Sequence, residues 1–331
     1  MDGLRIARTI VGCGLALVLC SCVGGEAPPA EAPPRESAEP EAPERKAAKE
    51  PTTTPAADAH VRAPAVAGRF YPANPKELAA AVDGYLAGAE TPARTGRVRA
   101  IMVPHAGYVF SAGVAAHGFN ALRDRSYGTV VLLGNSHTEG YEGAAVYARG
   151  RFRTPLGDVP IDRDTALKLI AADARITARE SPHLPEHSLE VELPFLQRVL
   201  GDFELVPVLF GDRSTSSARA VAAALAEIAG TGTLVVCSTD LSHYPSYEDA
   251  RTADLKMLDA VVSGDVDRLE RTRGLIERMG IANLATTMCG LGAVKATMLF
   301  AEAVGAGNIH LLSYANSGDA RGDRRRVVGY G

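Results

Sequence analysis

Three apolar runs, far apart in the chain, each stop within a few residues of a histidine. Residues 98–103 lead to His105, 129–133 to His137, and 233–237 to Asp240 and His243. Each run is short, continuous and rich in β-branched side chains, with helix-patterned stretches between them. That pattern belongs to strands buried on both faces of a parallel sheet. Parallel strands deliver their C-terminal ends to one sheet edge, where open α/β sheets bind ligands. The expected fold is therefore α/β: a single layered domain with a central mixed, mainly parallel sheet flanked by helices. Histidines from distant segments should meet at one edge of it. Neutral imidazole is the commonest metal ligand and a frequent general base, so that meeting point is the candidate working site.

The 331 residues do not all read as one folded body. Arg5 and Arg8 precede a short apolar stretch at 10–19, which ends in Leu19-Cys20-Ser21-Cys22. This has the layout of a lipoprotein signal, with 1–22 as the signal segment and Cys22 as the lipidated residue. A lipid anchor there would hold the chain to a bacterial cell membrane, on the periplasmic or cell-surface side, without spanning it. Residues 23–63 are rich in Pro, Ala and Glu and poor in aliphatic side chains. Such a stretch cannot bury enough surface to offset ordering entropy, so it reads as a linker. Residues 64–331 are long enough for one large core. The net charge of −4 argues against a dedicated nucleic-acid binder, which would carry a basic face.

Apolar spacing predicts helices at 76–86, 112–122, 166–172, 216–229, 247–262, 266–272 and 286–299. It predicts one more at 187–200, with a kink or a restart at Pro194. Strands are expected at 144–147 and 203–209, and a late antiparallel pair at 310–314 and 326–330 supplies the mixed character of the sheet. His105 and His137 fall in polar turns after their strands; either alone would pass for a surface histidine. Asp240 and His243, three apart, would share a face if that segment begins a helical turn. Cys289 lies near the start of the 286–299 helix, where the dipole favours a thiolate that could ligate or attack. In an oxidising compartment Cys289 could instead pair with Cys237. His183, His187 and Glu190 read either as outer partners of the site or as polar residues opening a helix.

At these residues the chain resembles the Memo family. The blocks are Val103-Pro104-His105-Ala106-Gly107-Tyr108, Gly134-Asn135-Ser136-His137 and Glu186-His187-Ser188-Leu189-Glu190. With them come Ser238-Thr239-Asp240-Leu241-Ser242-His243-Tyr244, Cys289-Gly290 and Tyr314-Ala315-Asn316-Ser317-Gly318-Asp319. They occur in family order, and bacterial members are called AmmeMemoRadiSam system protein B. The resemblance implies a fold like that of class III extradiol dioxygenases. It also implies a metal set of His105, His137 and Cys289 holding one ion, iron or copper. His243 would serve as acid/base, with Asp240 or His187 orienting it. The implied activity is a non-haem metal oxidoreductase acting on O2 or a small phenolic substrate. The alternative is a non-catalytic metal- or peptide-binding module with an inherited pocket. Thr138 stands where many members have a second histidine, and an exported form departs from the family's cytosolic habit.

Overall fold

The computed structural model describes residues 60–90, 96–306 and 308–331. The expected signal segment, Cys22 and nearly all of the linker lie outside the described residues. In chain order the strands are β1 (Val61–Arg62), β2 (Ala100–Val103), β3 (Thr129–Asn135), β4 (Ala144–Val146), β5 (Arg151–Thr154) and β6 (Gly157–Pro160). They continue with β7 (Ile176–Ala178), β8 (Glu204–Phe210), β9 (Thr233–Ser238), β10 (Ala315–Asn316) and β11 (Gly329–Tyr330). The helices are α1 (Pro75–Gly88), α2 (Tyr108–Asn120), α3 (Arg163–Ala172), α4 (Leu193–Leu200) and α5 (Thr215–Ile228). After them come α6 (Tyr247–Val262), α7 (Val266–Arg278), α8 (Leu291–Ala303) and the short α9 (Ser317–Arg321). No described helix is long and apolar enough to cross a membrane.

The central sheet has six strands in the order β2-β9-β3-β8-β4-β7. The first four run parallel, and β4 and β7 run opposite to them. Side chains alternate across this sheet, and both faces are covered. Val130, Leu132, Leu234 and Val236 face a core built with α1, α2 and α4, while Val131, Leu133, Val235 and Cys237 face one built with α5, α6 and α8. Burial on both sides is why these strands read as unbroken apolar runs rather than alternating ones.

Several expected elements move. The mixed character comes from β4 pairing antiparallel with β8, not from the chain end: β10 and β11 form their own two-stranded sheet. The helix expected from 187 begins only at Leu193, with Pro194 in its first turn, where a missing N–H costs nothing, so of the two alternatives the chain restarts there and does not kink. His187 is thus on a loop. The helix expected from 286 begins at Leu291, because residues 286–289 bond sideways instead: His243 N–H donates to the Thr286 carbonyl and Cys289 N–H to the Asp240 carbonyl. A small sheet of β1, β5 and β6 was not anticipated.

Behind the sheet edge, Asp254 of α6 is fully buried and ties the C-terminal strands to the β9 loop. It accepts from Ser242 N–H and from the Tyr314 hydroxyl, both at 2.9 Å. Burial pushes its carboxyl up to about 6, against the pull of those hydrogen bonds. Between its unfolded value near 4 and about 6, only the folded state holds the proton, so stability falls as pH rises through that window. Asp254→Asn, which mimics the protonated acid, should flatten part of this fall. Urea midpoints at pH 4.5 and 7 will show a smaller difference in the variant than in the parent.

Candidate metal centre

Four loops follow the C-terminal ends of the four parallel strands, and three of them supply the site. β2 leads through Pro104 to His105, β3 through Ser136 to His137, and β9 into the segment carrying Asp240 and His243. His187 arrives from the loop ahead of α4, and Cys289 from the segment just before α8. His105, His137 and His187 present ligand atoms that all lie within 4.8 Å of one another. Their rings sit with centroids 4.6 to 5.4 Å apart. Cys289 Sγ stands 3.2 Å from His105 Nε2 and bonds to His137 as well.

What holds the rings determines which nitrogen faces the cluster. His105 is buried, with Nδ1 2.8 Å from Ser238 Oγ. Ser238 directs its own proton to the Ser188 carbonyl at 2.6 Å or to Glu192 Oε1 at 3.0 Å. It therefore accepts from His105 Nδ1–H, and the Nε2 lone pair is left towards Cys289. His137 Nδ1 donates to Glu186 Oε1 at 2.9 Å. Glu186 is 2% exposed, and it also accepts backbone N–H groups from His137, His187 and Ser188. This carboxylate is the centre of the loop arrangement. On the sequence it opens one of the family-like blocks, but beside a proline it looks like a solvated residue, and nothing in its spacing assigns it this role.

The electrostatics follow from these contacts. Burial and the neighbouring imidazoles keep His105 well below its ordinary value, and burial takes His187 down to about 4. His137 moves the other way. Burial opposes its charge, but its bonds to Cys289 and Glu186 and their charges carry it up to about 10. Glu186 is held far below the carboxylate range: burial is outweighed by its hydrogen bonds to His137 and by that imidazolium. A cation held by the His137 ring would have to compete with that proton.

The remaining sequence candidates take different places. Asp240, expected to orient His243, instead accepts the His105 N–H at 2.8 Å and lies 4.0 Å from His105 Nε2. Its bond thus goes to the backbone of the first histidine. His187, expected in an orienting role, stands in the cluster itself. His243 keeps a half-buried ring whose Nε2 has no hydrogen-bond partner, and burial takes its value down to about 4. His183 is buried away from the cluster, its Nε2 3.1 Å from the Ala145 carbonyl. Glu190 clamps the leading segment: it accepts from Ala65 N–H at 2.6 Å, Val66 N–H at 3.0 Å and the Tyr71 hydroxyl at 2.5 Å, and pairs with Arg62. Arg62, fully buried, also donates to the carbonyls of His183 and Glu186.

Cys237 and Cys289 are both free and buried, so the disulfide that competed with a ligand role for Cys289 does not form. Sγ of Cys289 accepts the Asp240 N–H at 3.2 Å. The next residue is Gly290 for steric reasons: a Cβ there would stand 2.7 Å from Thr239 Cβ and 2.8 Å from the Ser238 carbonyl oxygen. Peptide mapping after denaturing alkylation without reductant should recover both Cys237 and Cys289 fully alkylated.

A family model for "Memo-like protein" matches residues 62–331. A MEMO1 family protein of Methanopyrus kandleri is 38% identical over 283 residues, covering 81% of this chain and 96% of the relative. One from Methanothermobacter thermautotrophicus is 36% identical over 281 residues, covering 82% of this chain and 98% of the relative. The crystal structure of an uncharacterized protein from Escherichia coli K12 aligns with a TM-score of 0.43 at 15% identity, over 71% of this chain and 99% of that one.

Proposed function

This chain belongs to the Memo-like family, and from that premise we propose that it is a redox-metal protein acting on O2 or a small phenolic molecule. The observation that carries the reading is the meeting of three imidazoles from three distant loops, with ligand atoms within 4.8 Å of one another. The donors fit an ion. Ser238 and Glu186 occupy the outer nitrogens of His105 and His137, which is the support that metal-bound imidazoles require. His105, His137 and His187 would hold the ion, with the Cys289 thiol beside it as a soft fourth donor. Three imidazoles suit iron, copper or zinc, and the sulfur tilts the choice towards copper. Bound there, iron or copper would supply one-electron and O2 chemistry.

The chain's own residues would do the rest. Burial lowers His243 to about 4, and its unpartnered Nε2 would accept a hydrogen bond from a phenolic hydroxyl. Asp240 keeps His105 in place through its backbone. The basic, apolar, lipobox-bearing start of the sequence supports an exported protein anchored to a membrane through Cys22.

Elemental analysis of chain purified without chelators should find close to one iron or copper per molecule. Oxygen electrodes should record consumption when catechols are added. Metal without turnover would leave a binding module; no metal, even after reconstitution, would end the reading.

A further inference from the structure

The hydroxyl of Ser238, the last residue of β9, has one proton and three polar neighbours. His105 Nδ1 stands 2.8 Å from its oxygen, the Ser188 carbonyl 2.6 Å and Glu192 Oε1 3.0 Å. None of the four residues is more than 1% exposed, so these contacts are made out of reach of bulk water. A hydroxyl donates once and accepts twice. The Ser188 carbonyl can only accept, and its contact is the shortest, so it takes the serine proton. The other two neighbours must then donate. His105 does so through Nδ1–H. Glu192 can do so only as a neutral carboxylic acid, with its proton on Oε1.

The surroundings of Glu192 suit a neutral acid. It sits just ahead of α4, and among the described residues no cationic side chain pairs with it. The titratable groups around it are committed elsewhere. The Asp240 carboxyl accepts the His105 N–H, the Tyr108 hydroxyl donates to the Val191 carbonyl, and Cys237 is held in the apolar core. Burial, reinforced by Asp240, pushes Glu192 well above the usual carboxylate range, against the pull of the Ser238 bond. A buried carboxylate without a counter-charge would cost far more than an acid that donates one hydrogen bond.

We propose that Glu192 is a positioning residue of the metal centre: it carries a proton on Oε1, donates it to Ser238, and so commits that serine to accept from His105 Nδ1–H and to donate to the His187 loop. The proposal rests on the metal reading only for the use made of His105. With both lone pairs of Ser238 filled, the serine proton cannot swing towards His105 Nδ1. That swing would move the ring proton to Nε2 and block the nitrogen that faces Cys289 and the cluster. The bond to the Ser188 carbonyl also ties β9 to the residue next to His187. An ionised Glu192 would draw the serine proton to itself and leave that carbonyl without it.

Infrared difference spectroscopy of the metal-free full chain, parent against Glu192→Gln, tests the proton. The parent should show the carbonyl stretch of one neutral carboxylic acid, shifted by deuteration, that the variant lacks. Absence of that band overturns the proposal. Ring-nitrogen NMR on the same samples tests the positioning. In the parent and in Glu192→Gln, whose amide donates as the acid does, His105 should carry its proton on Nδ1 alone. Glu192→Leu removes the donor and should show both tautomers; a single Nδ1–H form there overturns the positioning role. In chelator competition with zinc, parent and Glu192→Gln should bind alike and Glu192→Leu about ten-fold more weakly, the lower end of the cost of losing support to a metal-bound imidazole. Equal zinc affinity in all three chains also overturns the role. Should Glu192→Leu fail to fold, Glu192→Gln decides, since a shifted tautomer or weakened zinc binding in it sinks the proposal. The spectra need no metal, so the two readings fail separately. A parent chain with the expected band and tautomer that takes up no metal removes the metal reading alone.

Discussion

Arg62→Ala should lower the melting temperature by roughly 10 °C, because it strands a buried carboxylate: breaking a buried ion pair costs about 3–5 kcal/mol, and each kcal/mol moves a domain of this size by about 2–4 °C. The side chains of Arg62 and Glu190 are 1% and 0% exposed. With the guanidinium gone, Glu190 keeps its bonds to Ala65, Val66 and Tyr71 but loses its counter-charge. The carbonyls of His183 and Glu186 lose a donor in the same stroke. Arg62→Lys restores the charge but not the three-way fork, so it should recover only part of the loss. Differential scanning calorimetry of the three chains gives the answer. A drop of under 2 °C in Arg62→Ala would mean that the clamp contributes little.

Glu186→Gln should weaken metal binding by about 10- to 100-fold, the usual cost of removing a carboxylate that supports a metal-bound imidazole. Glu186 accepts from four N–H groups, those of the His137 ring and the His137, His187 and Ser188 backbones. An amide has one oxygen to offer them, and its NH2 must face a donor. His137 and His187 should both drift from their places, although neither is altered. Competition against a chromophoric chelator measures the affinity directly. His187→Ala sets the scale, since it removes a donor outright. If Glu186→Gln binds as the parent does, the carboxylate is a structural bystander.

The central strands and the gathering of His105 and His137 at one edge were legible because burial on both faces leaves a plain mark: continuous β-branched runs ending in polar turns. Cys289 and His243 came within reach through the motif blocks around them. Three kinds of feature were not legible. Glu186 and Arg62 act through partners more than 45 residues away, and charged residues in a loop or at the end of a linker look like solvated ones. The reversal of β4 depends on which edge of β8 stays open, which no local pattern records. The late start of α8 is a tertiary matter: residues 286–289 have helical spacing, but bonding to the β9 loop is worth more than one extra turn. The contact between Asp240 and His105 was not legible for a related reason. Its three-residue spacing from His243 suggested a shared helical face, whereas the segment is extended and the carboxylate reaches across to β2's loop.

The clamp at Arg62 also bears on proteolysis. The arginine that secures the His187 loop is the last residue of β1. Cleavage just after it would strip the donor from the His183 and Glu186 carbonyls and the counter-charge from Glu190. Such a cut would loosen the His187 loop without touching any of the three clustered histidines.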